Sequence, residues 1–171
     1  MRVARVEFCE SFVRIQTKSD GLTDPKGICD LLAGDASAHE IGSSVLRALS
    51  ACRNFIPIEE RRALLKEGGL AQHLAAVDLN TMTAFGFRKK RDIYRDMVAC
   101  QVSEEDGFIS FLTLLHVGMG NYKHKTREFV NPIRLTSGEE IIGSAVKTAA
   151  NDFAGPNYIT VDHEIRGGFR E

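Results

Sequence analysis

Ser37-Ala38-His39-Glu40-Ile41-Gly42-Ser43-Ser44-Val45 and, a hundred residues later, Ser137-Gly138-Glu139-Glu140-Ile141-Ile142-Gly143-Ser144-Ala145-Val146 are two versions of one segment. Each places a Ser three residues ahead of a Glu, the capping-box spacing in which the two side chains satisfy backbone N–H groups of a first helical turn. Apolar residues then recur at helical spacing: Ile41, Val45, Ala48, Leu49 and Cys52 in one copy, Ile142, Ala145, Val146, Ala149 and Phe153 in the other. Both copies therefore predict a capped helix that buries one face. Strand-like sequence precedes each copy. The expected fold is a single α+β domain over residues 1–171, with antiparallel sheets arranged as two strand-then-capped-helix halves.

Working outward, residues 2–8 and 11–17 interleave charges with Val, Phe and Ile and predict an antiparallel pair. Residues 18–36 have loop composition, within which 28–32 suits a short strand. The first helix should run to about Arg53. A second should start at Pro57, whose missing N–H costs nothing there, and end at Gly68-Gly69. A third covers 70–84, with Gly86 as its stop. Residues 97–102 and 108–112 flank Glu104-Glu105-Asp106-Gly107, and the Asp-Gly pair predicts a hairpin. His116 to Glu128 is expected to be a His- and Lys-rich loop. Residues 129–135 form a strand that Pro132 confines to an edge or a bulge. After the second capped helix Gly155-Pro156 breaks the chain, and 158–161 has the composition of a last strand.

With 171 residues, 43% hydrophobic and 26% charged, the chain can fold without a staple. Its 22 basic and 23 acidic residues give a net charge of −1, so no global field draws it to nucleic acid or to an acidic membrane. Cys9, Cys29, Cys52 and Cys100 are scattered, with no C-x-x-C pair, which suits reduced thiols in the cytoplasm. The first residues never reach an apolar run of signal-peptide or transmembrane length, so neither export by that route nor a membrane partner is expected.

Chemical motifs are sparse. Of the histidines, His116 and His124 share a predicted loop, but no carboxylate stands at a ligand spacing from them, and H-E-x-x-H, G-x-S-x-G and phosphate-cradling loops are absent. No cofactor or metal is expected. Arg88-Lys89-Lys90-Arg91 with Arg95, together with Lys123, Lys125 and Arg127, can line a basic groove beside Phe85, Phe87 and Tyr122, a pattern that suits single-stranded nucleic acid. The competing explanation is a solvated face neutralised by Asp92 and Asp96. Cys52 and Cys100 lie on apolar-periodic stretches and are expected in the core.

The 41–53 helix, the 55–60 stretch, the Phe85-Gly86-Phe87 break, the 100–109 hairpin, His116 and Glu140 to Lys147 occur in an order that resembles the immunity proteins of bacterial contact-dependent growth inhibition (CDI) systems, the CdiI type. The similarity runs from about residue 37 to residue 150. It implies a cytoplasmic, non-enzymatic protein that binds the C-terminal nuclease domain of a cognate toxin one-to-one and blocks its active site. In relatives a toxin β-hairpin augments the immunity protein's sheet. Some relatives resemble Whirly single-strand-binding domains in shape, which makes such a nucleic-acid-binding domain the alternative. Direct binding to nucleic acid is not otherwise expected.

Three features depart from the family pattern. Residues 151–171 form a C-terminal extension, Asn121 to Lys125 is unlike the family, and Ile56 before Pro57 leaves the second helix without a side-chain cap. On the immunity hypothesis the expected toxin-binding residues are His116, Tyr122, Lys123, His124, Lys125 and Arg127, with 129–135 and the 97–112 hairpin as candidate pairing edges.

Overall fold

The structure, a computed structural model, describes residues 1–95, 97–118, 121–128 and 132–154, with 115–118, 121–128 and 152–154 as backbone alone. The chain runs β1 (Arg2–Cys9), β2 (Phe12–Ser19), β3 (Leu22–Thr23), β4 (Cys29–Ala33), α1 (Ala38–Ser50), α2 (Ile58–Lys66), α3 (Gly69–Phe85) and α4 (Lys90–Ile93). It continues through β5 (Val98–Glu105), β6 (Phe108–Gly118), β7 (Asn121–Glu128), β8 (Ile133–Arg134) and α5 (Glu139–Ala154). The strands form an open antiparallel sheet in the order β3-β2-β1-β5-β6-β7, in which β4 also pairs with β2 and β8 with β6. This is the mixed α+β domain that the sequence predicts.

The two halves match residue by residue. An offset of 96 carries β1 onto β5 and β2 onto the first eight residues of β6, and it carries the Glu10-Ser11 turn onto Asp106-Gly107. Inward-facing Ala4, Val6, Val13, Ile15 and Thr17 thereby correspond to Cys100, Val102, Ile109, Phe111 and Thr113, all buried. In the helices the offset is 101, so that Ile41, Gly42, Val45 and Ala48 of α1 answer Ile142, Gly143, Val146 and Ala149 of α5. These side chains and the inward faces of the central strands make one core. Thr17 Oγ1 donates to Ala48 O at 3.0 Å and Thr113 Oγ1 to Ala149 O at 3.3 Å, equivalent bonds in the two halves.

Two glycines set the helix spacing. A Cβ on Gly42 would stand 1.8 Å from Glu139 O, and one on Gly143 would stand 1.7 Å from Ala38 O. Each collision is with the carbonyl four residues before the other glycine, so the crossing is twofold-symmetric. In the sheet the same symmetry pairs Arg5 with Gln101, which are each other's equivalents. The repeated Ile-Gly-Ser is thus a close-approach device.

Only one of the two expected capping boxes forms. The Glu40 N–H donates to Ser37 Oγ at 3.2 Å, and the Ser37 N–H donates to Glu40 Oε2 at 2.8 Å. In the second copy Ser137 closes a 3-10 turn over Leu135–Ser137, and Gly138 at φ +92° stands immediately before α5. The extra residue moves Ser137 out of the cap position. Pro57 precedes α2 and no side chain caps that helix, as expected. Asp106 at φ 51° and Gly107 at φ 82° make the tight turn joining β5 to β6.

The larger departure concerns residues 116–128. Their described part, 116–118 and 121–128, is not a loop: β6 extends through Gly118, and β7 pairs antiparallel with it. Nor is the 97–112 hairpin an edge, because β1 flanks it on one side and β7 and β8 on the other. Within 129–135, the described residues 132–135 include one strand, Ile133–Arg134, paired with Phe108 and Ile109. Phe129 to Asn131, and the expected break and strand within 155–161, lie outside the described residues.

Candidate partner-binding edge and the charged clusters behind it

β7 is the outer strand on its side of the sheet, and among the described residues it pairs with β6 alone. All six expected contact residues fall on these two strands: His116 on β6, and Tyr122, Lys123, His124, Lys125 and Arg127 on β7. The register sets His116 opposite Tyr122, Leu115 opposite Lys123 and Leu114 opposite His124, with irregularities between Leu112 and Leu114 and between His116 and Gly118. The structure therefore brings the six together as one two-stranded border, where the sequence suggested a loop. An outer strand leaves every second backbone N–H and C=O without a ladder partner, which is what strand addition requires.

The opposite sheet face carries a buried charge cluster that the sequence does not announce. Arg14, 3% exposed, donates from Nε to Glu7 Oε2 at 2.5 Å and from a terminal nitrogen to Asp78 Oδ1 at 3.2 Å and Thr81 Oγ1 at 3.3 Å. Tyr94 donates its hydroxyl to Asp78, and Lys90 Nζ lies 2.7 Å from the other Asp78 oxygen. Burial, followed by that bond, pushes the Tyr94 phenol above its ordinary value. Phe12, Ile93, Tyr94 and Met97 pack beside the cluster, with Phe85 and Phe87 against Phe12 at ring-centroid separations of 5.4 and 5.9 Å. The cluster anchors α3 and α4 to β1 and β2.

This packing engages part of the candidate basic groove. Phe85 packs tilted and Phe87 edge-on against Phe12, Lys90 is paired with Asp78, and Arg95 donates to Asp92 at 2.7 Å.

A second cluster ties the connection after α1 to the β2–β3 end. Arg53 grips Asp24 at 2.6 and 2.7 Å and Glu60 at 2.8 and 3.1 Å, and Lys26 adds a contact to Glu60 at 3.0 Å. The bonds from Arg53 and then Lys26 bring the Glu60 carboxyl down to about 2. Burial pushes Asp24 up, but bonds from Arg53, Ser19 and the Lys26 N–H leave it below its ordinary value. Because both folded values are depressed, their stabilisation is complete above the ordinary carboxylate range and is lost as pH falls toward 2. The expected result for Arg53→Ala is a Glu60 midpoint raised toward, but held by Lys26 below, the ordinary glutamate range, and acid unfolding beginning at higher pH, read by NMR titration and circular dichroism.

Cys100 is fully buried, and burial pushes its thiol up to about 12; Cys52 is half-buried and donates to Lys18 O at 2.9 Å. Neither is placed as a nucleophile. Among the described residues no group of three or more His, Cys, Asp or Glu side chains is arranged to hold a metal, and no helix is long and apolar enough to cross a membrane.

A family model described as CdiI, CDI immunity protein, matches residues 2–152. Among solved structures, a protein of unknown function from Neisseria meningitidis superposes with a TM-score of 0.78 at 20% identity, over 88% of this chain and 94% of that one. A chain of a CdiA-CT/CdiI toxin and immunity complex from Yersinia pseudotuberculosis superposes with a TM-score of 0.67 at 20% identity, over 88% of this chain and 95% of that one. No curated protein matches the chain.

Proposed function

From a chain that belongs to the CDI immunity protein family, we infer an inhibitor that neutralises a cognate toxin by binding it, without catalysis, in the cytoplasm of the cell that makes it. The toxin domain is a nuclease, bound one-to-one with its active site blocked. The observation that supports a binding mode is the outer edge of β7, eight residues long and paired on one side only among the described residues. A toxin strand added there extends the sheet, and backbone hydrogen bonds supply affinity.

Specificity on this account comes from side chains along the border. Lys123, Lys125 and Arg127 favour an acidic strand and reject a basic one through unpaired charge. His116, Tyr122 and His124 complete the contact set. Lys123→Glu with Lys125→Glu is expected to lower affinity for the cognate toxin domain at least about tenfold, or 1.4 kcal/mol, and to weaken its salt dependence, measured by titration calorimetry at two salt concentrations. Unchanged affinity and salt dependence would place the interface elsewhere.

A further inference from the structure

The back face of the sheet holds a cavity of about 340 Å³ beside the Arg5–Gln101 pair, lined by Val3, Lys18, Asp20, Cys52, Asn54 and Gln101 among others. Its walls are β1, β2, β5, the Asp20-Gly21 turn and the connection after α1. That connection is fixed in place: Cys52 Sγ donates to Lys18 O, and the Arg53 N–H donates to Ser19 Oγ at 2.9 Å.

Charge in this cavity is unbalanced. Lys18 is half-buried and donates to a neutral acceptor, Thr23 Oγ1, at 3.2 Å; among the described residues it has no carboxylate within ion-pair distance. The acids around it are engaged by other cations. Arg14 holds Glu7 on β1, Arg61 holds Asp20 in the turn, and Arg53 on the α1–α2 connection is itself taken up by Asp24 and Glu60. Arg5 on β1 repels the ammonium. Burial, followed by Arg5, pushes Lys18 down to about 7, with Glu7 opposing. A half-buried lysine lining a cavity whose wall also includes Asn54 and Gln101 is an arrangement that an anion completes.

We propose that this cavity is a binding site for a single carboxylate, with Lys18 as its counter-ion and the Asn54 and Gln101 amides as further donors. A monoanion suits it better than a phosphate. Lys18 offers one positive charge, and the guanidinium on the wall already holds two carboxylates. The carboxylate is either a small free acid or an Asp or Glu side chain of the toxin. In the second case the assignment rests on the function proposed above; the chemistry of the cavity does not.

NMR of the full chain tests this, following the Lys18 side chain while sodium acetate, or sodium chloride at equal ionic strength, is added. Acetate is expected to give a saturable shift and to raise the Lys18 midpoint by about one pH unit, a tenfold change. Its affinity should fall as pH rises through the Lys18 midpoint, and Lys18→Met should abolish the response. Equal responses to acetate and chloride, or a saturable response that survives in Lys18→Met, would overturn the site. A second arm identifies the source. A tenfold loss of toxin affinity in Lys18→Met, with acetate competing against toxin, assigns the carboxylate to the toxin. Unchanged toxin affinity beside intact acetate binding assigns it to a small acid.

Discussion

Gly143→Ala is expected to destabilise the protein at the upper end of about 1–3 kcal/mol, the range for overpacking a tight contact. Intrinsic propensity argues the opposite sign, since Ala in a helix interior is favoured over Gly by about 1 kcal/mol. The geometry decides. The added Cβ would stand 1.7 Å from Ala38 O and 2.9 Å from Gly42 N, and both are backbone atoms that cannot rotate away. Relief requires α1 and α5 to separate, which loosens the packing of Ile41, Val45, Ile142 and Val146 at once. Gly42→Ala should behave alike, because it meets Glu139 O at 1.8 Å. Ser144→Ala, exposed on the same helix, is the control and should be neutral or slightly stabilising. Urea unfolding reads the difference as a lower midpoint at constant slope; equal midpoints for Gly143→Ala and Ser144→Ala would refute the close crossing.

The second large effect is Arg14→Met, expected to cost about 3–5 kcal/mol because it strips the cation from a buried charge group. Glu7 and Asp78 are 2% and 4% exposed, and without the guanidinium they lose three of the cluster's hydrogen bonds between them and Thr81. Replacing the acids as well, as Glu7→Gln and Asp78→Asn in the Arg14→Met background, should recover part of the loss, since no buried charge is then orphaned. A triple variant no more stable than Arg14→Met alone would mean that packing of the arginine stem, not charge, carries the effect.

How much of this was legible in the residues varies by element. The β1–β2 and β5–β6 hairpins and α1 show plainly because alternation, an Asp-Gly turn and a capping box each impose a local pattern that burial then reinforces. The repeat was visible at the Ile-Gly-Ser segments. Its meaning was not, since a glycine needed for close approach reads in sequence like any other weak helix residue. β7 escaped because an outer strand is held by its ladder with β6, and Asn121 to Glu128 shows no apolar alternation. The Arg14 cluster escaped because Arg5, Glu7, Arg14 and Gln16 alternate with apolar residues and so imitate a solvated face. Asp78, standing in the mostly apolar run from Leu74 to Met82, was the available signal. The six border residues are close in sequence, and strand pairing keeps them close in space.

The central claim is inhibition by binding, and titration calorimetry against the C-terminal domain of the cognate toxin, with nuclease activity followed in the same mixtures, tests it most directly. The account predicts one-to-one binding of nanomolar order, about −12 kcal/mol, with activity lost at the equivalence point. Absence of binding, or tight binding that leaves the nuclease active, would contradict it.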